Sequence, residues 1–297
     1  MDKKFYFGMS VDDVALDGWS TADNFAHLVS FFQEQAVHAT FFVVPIDEVT
    51  DKPFMTLDSR YLDIIKDAHA KGFCFGQHGL RHNRFELGVP PMMVLDLPHE
   101  AENKRWAAEN ADFLAKDHSV ENCRARLRQG RKILEDAFGF PVNGFRAPAL
   151  QESPGMFQAI KEEGYTFDSS CCLQETGWDY ILDKLDVPPR DITRERWMAL
   201  NRKGYGLSFS LTCDYTWFLT PEKYDLVMKL AKHDFQQCLA ADVPFVTVCH
   251  VDPVHQGEGI RFLTEFYAYA REEAARQGRE ISFETLENIA KHYKIEG

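Results

Sequence analysis

The sequence predicts an α/β fold in one domain, a single parallel (β/α) barrel. Three observations predict it. Strand-like and helix-like segments alternate along nearly the whole chain, the arrangement that packs helices onto a parallel sheet. Two apolar runs, ATFFVV at 39–44 and PFVTVC at 244–249, carry no polar alternation, as expected of strands covered by helices on both faces. No repeat and no low-complexity linker divides the 297 residues, so solenoids and beads on a string are set aside.

The elements follow from local pattern. Lys4–Val11 reads as a strand, and Ser20–Gln35 as a helix with Phe25, Leu28, Val29 and Phe32 on one face. The run at 39–44 is the second strand. Ser59–Ala70 is a helix that Gly72 is placed to end, and Phe73–Gln77 is the third strand. From Asn83 to His118 the rhythm breaks, with Pro90, Pro91 and Pro98 followed by one polar helical stretch from Glu100 to Lys116. A connection of that length is expected to be a lid, a binding loop or an interface element. Val120–Phe138 is a helix, followed by a short strand at Gly144 and Phe145. Ser153 and Pro154 supply an N-cap and first turn for a helix closing at Gly164. Tyr165–Asp168 and Gly206–Thr212 read as strands, while 171–205 gives no clear strand period. Thr220 and Pro221 start a helix to Ala240, and PFVTVC follows as a buried strand. A helix over Gly259–Gln277, a short ISF strand and a helix to Tyr293 end the chain.

Composition narrows the partners. With 46 acidic against 33 basic residues and a net charge of -13, the chain lacks the clustered cations that grip nucleic acid or an anionic membrane. Seven cysteines, an odd number with no CxxC, read as reduced, packed thiols and not as a disulfide or zinc-ribbon framework. The N-terminus enters a strand directly, with no basic leader, long apolar run or cleavage site. A cytoplasmic protein is expected, secreted if a leader has been removed.

Reacting groups of parallel barrels sit at the C-terminal ends of strands, and these ends are polar here. They carry Ser10, Asp12 and Asp13, then Gln77, His78, Arg81 and His82, then Arg146, then Asp168 with two serines, and last His250 and Asp252. Each cluster alone is weak: an Asp-Asp pair is usually a solvated turn, and a strand-end histidine is usually structural. Their convergence on one rim points to metal-assisted hydrolysis. Two imidazoles and a carboxylate can hold a divalent ion such as Zn²⁺ with positions left open. Adjacent side chains of an extended strand diverge, so one of Asp12 and Asp13 can bind metal while the other faces the water. A carboxylate can then take the water's proton, and His250 can protonate the leaving nitrogen. Arg146 can hold the basic carboxylate, and Asp168 can orient a histidine or that arginine.

The motif order resembles the polysaccharide deacetylase family, the NodB-type catalytic domain of carbohydrate esterase family four. SVDDV at 10–14, ATFF at 39–42, HGLRH at 78–82, RAP at 146–148, DSS at 168–170, VTVCH at 246–250 and ISFETLENIA at 281–290 carry the likeness, which spans 1–297 apart from the insertion at 83–118. The resemblance implies a distorted seven-stranded parallel barrel, with Asp12 as base, Asp13, His78 and His82 as metal ligands, His250 as acid and Arg146 supporting Asp12. It also implies removal of an N-acetyl group from an amino sugar or related saccharide. The sequence departs at Val14, where the family has glycine, at Leu150, and after Asp168, which lacks a following tryptophan. Alternatives are an amidohydrolase of a formamide or cyclic amide, and a silent saccharide-binding protein.

Other residues carry weaker expectations. Trp178, Tyr180, Tyr215, Trp217 and Phe218 read either as sugar platforms or as core packing. Asp214 reads as a substrate contact or a surface turn. Met92, Met93 and Trp106 suit a lid or a subunit contact, consistent with a homo-oligomer. Cys249 should point away from the site, and His255, Arg81 and Asp252 belong to the rim.

Overall fold

A computed structural model describes residues 4–293. Its central strand is β1 (Lys4–Val14), fully buried after Lys4. The helix α1 (Ala22–Glu34) follows, capped by Thr21, whose hydroxyl accepts from the Asn24 amide, and burying the predicted face of Phe25, Leu28, Val29 and Phe32. Next come β2 (Ala39–Val43), α2 (Arg60–Ala70) and β3 (Cys74–His78). The insertion forms α3 (Met92–Leu95), α4 (Ala101–Glu109) and α5 (Ala111–Asp117). The single helix expected over 100–116 is broken at Asn110, whose side chain bonds the Trp106 carbonyl. Such a side chain competes with the helical ladder for its own backbone.

The chain continues through α6 (Val120–Phe138), β4 (Gly144–Arg146), α7 (Pro154–Glu162), β5 (Phe167–Asp168), α8 (Thr176–Ile181) and α9 (Arg194–Lys203). It ends with β6 (Cys213–Asp214), α10 (Pro221–Ala241), β7 (Phe245–His250), α11 (Gly259–Arg276), β8 (Glu280–Phe283) and α12 (Leu286–His292). Gly139, at φ +78°, closes α6 in the left-handed conformation that suits glycine.

All pairings of these strands are parallel, in the order β5-β4-β3-β2-β1-β7-β6, with β8 beside the first residues of β1. This is the expected curled parallel barrel, seven strands along one path. One predicted strand is corrected: Gly206–Thr212 is not a regular strand. Its residues make isolated bridges, Asp168 with Ser208 and Cys172 with Leu211, while the Thr212 amide reaches the Val246 carbonyl. The irregular segment thus spans the gap between β5 and β7, and the distortion of the barrel lies there.

The core is strongly aromatic. Phe7, fully buried, has the rings of Phe245 and Phe283 within 4.9 and 4.8 Å. All seven cysteines are free thiols, and Cys249 is buried, as expected. No helix among the described residues is long and apolar enough to cross a membrane.

Candidate active site

Strand register brings the predicted residues to one level. Asp12 is paired with His250 across β1 and β7, and His78 with Arg146 across β3 and β4. The expectation of an extended strand through Asp12 and Asp13 is overturned. The β1–β2 register shifts between Val11 and Val14, and Asp13 sits at φ +62°. A β-bulge of this kind re-aims side chains, and both aspartates line the same cavity. His82, Ala149 and Leu150, also cavity-lining, sit at φ +64°, +48° and +55°. Left-handed backbone at non-glycine residues is costly and gathers where surrounding structure enforces it, commonly at functional sites.

Asp12 Oδ1 accepts from Arg146 Nη1 at 2.7 Å. Arg146 is fully buried, and its other donors go to Ser10 Oγ, the Ser169 carbonyl and Ser169 Oγ, at 2.8–3.0 Å. Its guanidinium lies 4.4 Å over the Phe42 ring. An arginine so fixed holds Oδ1 of Asp12, a residue that lines the cavity.

Asp13, His78 and His82 form a second group, with one ligand atom of each within 4.8 Å of the others. Asp13 Oδ1 is buried without a hydrogen-bond donor, while the Nε2 atoms of His78 and His82 lie 3.3 and 3.1 Å from it. His78 Nδ1 donates to the Arg146 carbonyl at 2.9 Å, which fixes its proton there and leaves the Nε2 lone pair facing Asp13. Burial opposes ionisation of Asp13, but the charges of His82 and His250 hold its carboxyl well below the usual range. Burial likewise disfavours protonated His82, and the Asp13 charge overrides it and raises the imidazole pKa. An orphaned carboxylate oxygen facing two imidazole nitrogens fits a divalent cation.

The fold is shared with known proteins. The family model for polysaccharide deacetylase matches residues 3–167, more than half of the chain. The chain belongs to the polysaccharide deacetylase family. The matched stretch holds Asp12, Asp13, His78, His82 and Arg146, whereas Asp214 and His250 lie beyond it. A protein from Mycobacterium smegmatis described as a polysaccharide deacetylase shares the fold at a TM-score of 0.56 and 14% identity, over 98% of this chain and 90% of that one. The chitin deacetylase of Colletotrichum lindemuthianum does so at 0.52 and 15%, over 96% and 86%. A family-four pseudoenzyme from Bacillus anthracis aligns at 0.48 and 11%, over 97% and 66%. No curated protein matches the sequence.

In this deacetylase-family chain His250 has a partner that the sequence left open. Its Nδ1 donates to Asp214 Oδ2 at 2.9 Å, and Asp214 Oδ1 is fixed by the amide and hydroxyl of Thr216. His250 Nε2 points into the cavity, 3.9 Å from Asp13 Oδ2, and its ring rests edge-on to Trp217 at 4.5 Å. Burial would lower the His250 pKa, but the Asp13 charge and the Asp214 bond raise it to about 9.

Asp168, expected to orient a histidine or Arg146, is placed elsewhere. It is fully buried, does not line the cavity, and its side chain bonds Ser170 and Ser208. Burial raises its carboxyl pKa. Its position ties β5 to the irregular 206–212 segment, and the orienting carboxylate is Asp214.

Sequence reasoning missed Glu86. This buried residue accepts from the Leu80 and Arg81 amides at 2.7 and 2.9 Å. It therefore clamps the loop between the two histidines, where Gly79 and His82 are both left-handed. Replacing Glu86 by Ala is expected to weaken metal affinity by about 10–100-fold, the usual effect of removing a group that orients ligands. Competition with a chromophoric chelator measures it, and wild-type affinity would show that the loop is held without Glu86.

The predicted aromatic cluster divides. Trp178 and Trp217 line the cavity, and Trp217 stacks on Trp19 at 5.5 Å. Tyr180 and Tyr215 are buried, with Tyr215 Oη donating to Asp234. Of the rim residues, Asp252 bonds Thr21 and Asn24 at the start of α1, and His255 bonds His27.

Proposed function

We propose that the protein is a divalent-metal-dependent hydrolase that removes an N-acetyl group from an amino sugar or related saccharide. The observation that carries this reading is the paired arrangement on one rim: Arg146–Asp12 on one side, Asp214–His250 on the other, with the Asp13/His78/His82 group between them. Asp13, His78 and His82 would hold the ion, for which Zn²⁺ suits a donor set of two imidazoles and a carboxylate. When bound, it supplies a Lewis acid and lowers the pKa of a water toward neutrality.

The remaining work falls to side chains. Arg146 holds Asp12 through Oδ1, so that Oδ2 takes a proton as water oxygen bonds to the amide carbon. Asp214 fixes the proton of His250 on Nδ1 and favours the imidazolium, whose Nε2–H is given to the amide nitrogen as the carbon–nitrogen bond breaks. The products are acetate and a free amine. Trp178 and Trp217 offer ring faces and edges against which a sugar can pack.

Incubation of the metal-loaded protein with N-acetylated saccharides tests the reading. Acetate and primary amine are expected in a one-to-one ratio; product from none of them would remove it.

A pH profile tests the acid. His250 must be protonated to act, so activity should fall as pH rises through its pKa, at no more than about 9. A cation on Asp13 leaves Asp214, hydrogen-bonded to Nδ1, and the charge of Asp12 to hold that value up. The Asp214→Asn protein is expected to lose activity at lower pH, by about one unit or more, since one unit is about 1.4 kcal/mol of differential interaction. An unmoved alkaline limb would show that His250 is not the titrating acid.

A further inference from the structure

The insertion at 83–118 is the part of the chain whose role neither the motifs nor the family match explains, although it forms one wall of the catalytic cavity. Arg84, Val94, Leu97, His99 and Glu100 face inward from it. Trp178 and Ile181 of α8 line the same cavity, and α3 is in contact with α8. The insertion and α8 therefore join above the β3–β5 side of the rim.

It is also anchored. Glu100, only 1% exposed, accepts from Arg84 Nη2 at 2.7 Å and from Asn103 Nδ2 at 2.8 Å. Phe85 stacks on Trp106 at 5.1 Å. His118 Nε2 donates to the Phe85 carbonyl at 2.7 Å, and Arg126 on α6 pairs with Asp117 at 2.7 Å. Separating Glu100 from Arg84 would leave a buried carboxylate without its cation. The wall is a fixed part of the fold.

The cavity volume is about 380 Å³, near the small end of the ~300–1,000 Å³ typical of small-molecule pockets. A polymer needs a groove open at both ends so that neighbouring units can run out on either side of the reacting one. Here α3 and α8 touch, and Val94, Trp178 and Ile181 wall the cavity where they meet. Away from the metal group the wall is mostly apolar, with Leu97, Leu150, Trp178 and Val248, and Arg84 paired with Glu100 beside His99 offers donors and acceptors.

Resting on the hydrolase reading above, we infer that the insertion makes the site a blind pocket and that the substrate is a discrete N-acylated molecule of one or two rings, not an internal unit of a polysaccharide. The pocket takes a neutral polar group at Arg84 and Glu100 and packs the ring between Leu97 and Trp178.

Chain-length dependence tests this. With N-acetylglucosamine and its soluble oligomers, kcat/KM is expected to be greatest for the monomer or dimer and to fall by more than about tenfold, roughly 1.4 kcal/mol, at the hexamer. A Val94→Ala/Leu97→Ala protein, checked for folding by its melting temperature, should narrow that gap. A hexamer turned over as well as the monomer by the wild type would overturn the inference. Tryptophan fluorescence of the Asp12→Asn protein reads binding without turnover. Saturation by the monomer and not by the hexamer supports the pocket even if no acetate is released, in which case the hydrolase reading alone fails. Saturation by the hexamer, or by neither, overturns it.

Discussion

The Asp12→Asn protein is expected to lose about 10²–10⁴-fold in kcat, the range for removal of a positioned general base, while its metal content stays at the wild-type level. The asparagine keeps a carbonyl oxygen where Oδ1 meets Arg146 at 2.7 Å, so the fully buried guanidinium retains an acceptor. What disappears is the proton-accepting Oδ2 and the negative charge. The Asp12→Ala protein makes the contrast: it leaves Arg146 buried and unpaired, at a cost of about 3–5 kcal/mol. Loss of activity in the Asn protein with a near-native melting temperature separates chemistry from folding. Wild-type kcat in that protein would place the base elsewhere.

The second large effect is expected from His82→Ala. His82 is the most accessible of the three grouped residues, with 15% of its side chain exposed, so its removal disturbs the core least. Metal affinity should fall by more than about 100-fold, since even groups that merely orient ligands are worth 10–100-fold, and activity should fall with it. Affinity should also depend on pH in a definite direction. Asp13 raises the His82 pKa, so protons compete with the cation up to a higher pH than at an isolated imidazole, and affinity rises as pH increases through that value. Equilibrium dialysis across pH measures both. Undiminished binding by the Ala protein would show that His82 is not a ligand.

What the sequence revealed of this site was information confined to short stretches. Strand ends are local features: SVDDV, HGLRH, RAP and VTVCH each place polar residues just after an apolar run, and a parallel barrel gathers such ends on one rim. Helices with clear caps, such as Pro154–Glu162 after Ser153, were legible for the same reason. Contacts set by register were not. The bulge at Asp13 arises from a shift between β1 and β2 and leaves no mark in the sequence. Asp214 was visible as a strand end, but its bond to His250 depends on β6 pairing beside β7, with Asp214 opposite Val248. Glu86 looked like one more acidic residue of a long insertion, because its partners are backbone amides. The DSS motif drew Asp168 toward the chemistry, whereas its bonds to Ser170 and Ser208 serve the irregular closure of the barrel. The 206–212 segment has a strand's composition but bridges neighbours that do not run as a regular ladder.

In the proposed reaction one divalent ion, held by Asp13, His78 and His82, turns this rim into an amide hydrolase. Titrating the chelator-stripped protein with Zn²⁺ while following acetate release from an N-acetylated saccharide tests it most directly. Activity should be absent at the start, rise linearly and level off at about one ion per chain, the occupancy expected of a single three-ligand site. Full activity in the stripped protein, or acetate release that ignores added metal, would contradict the account.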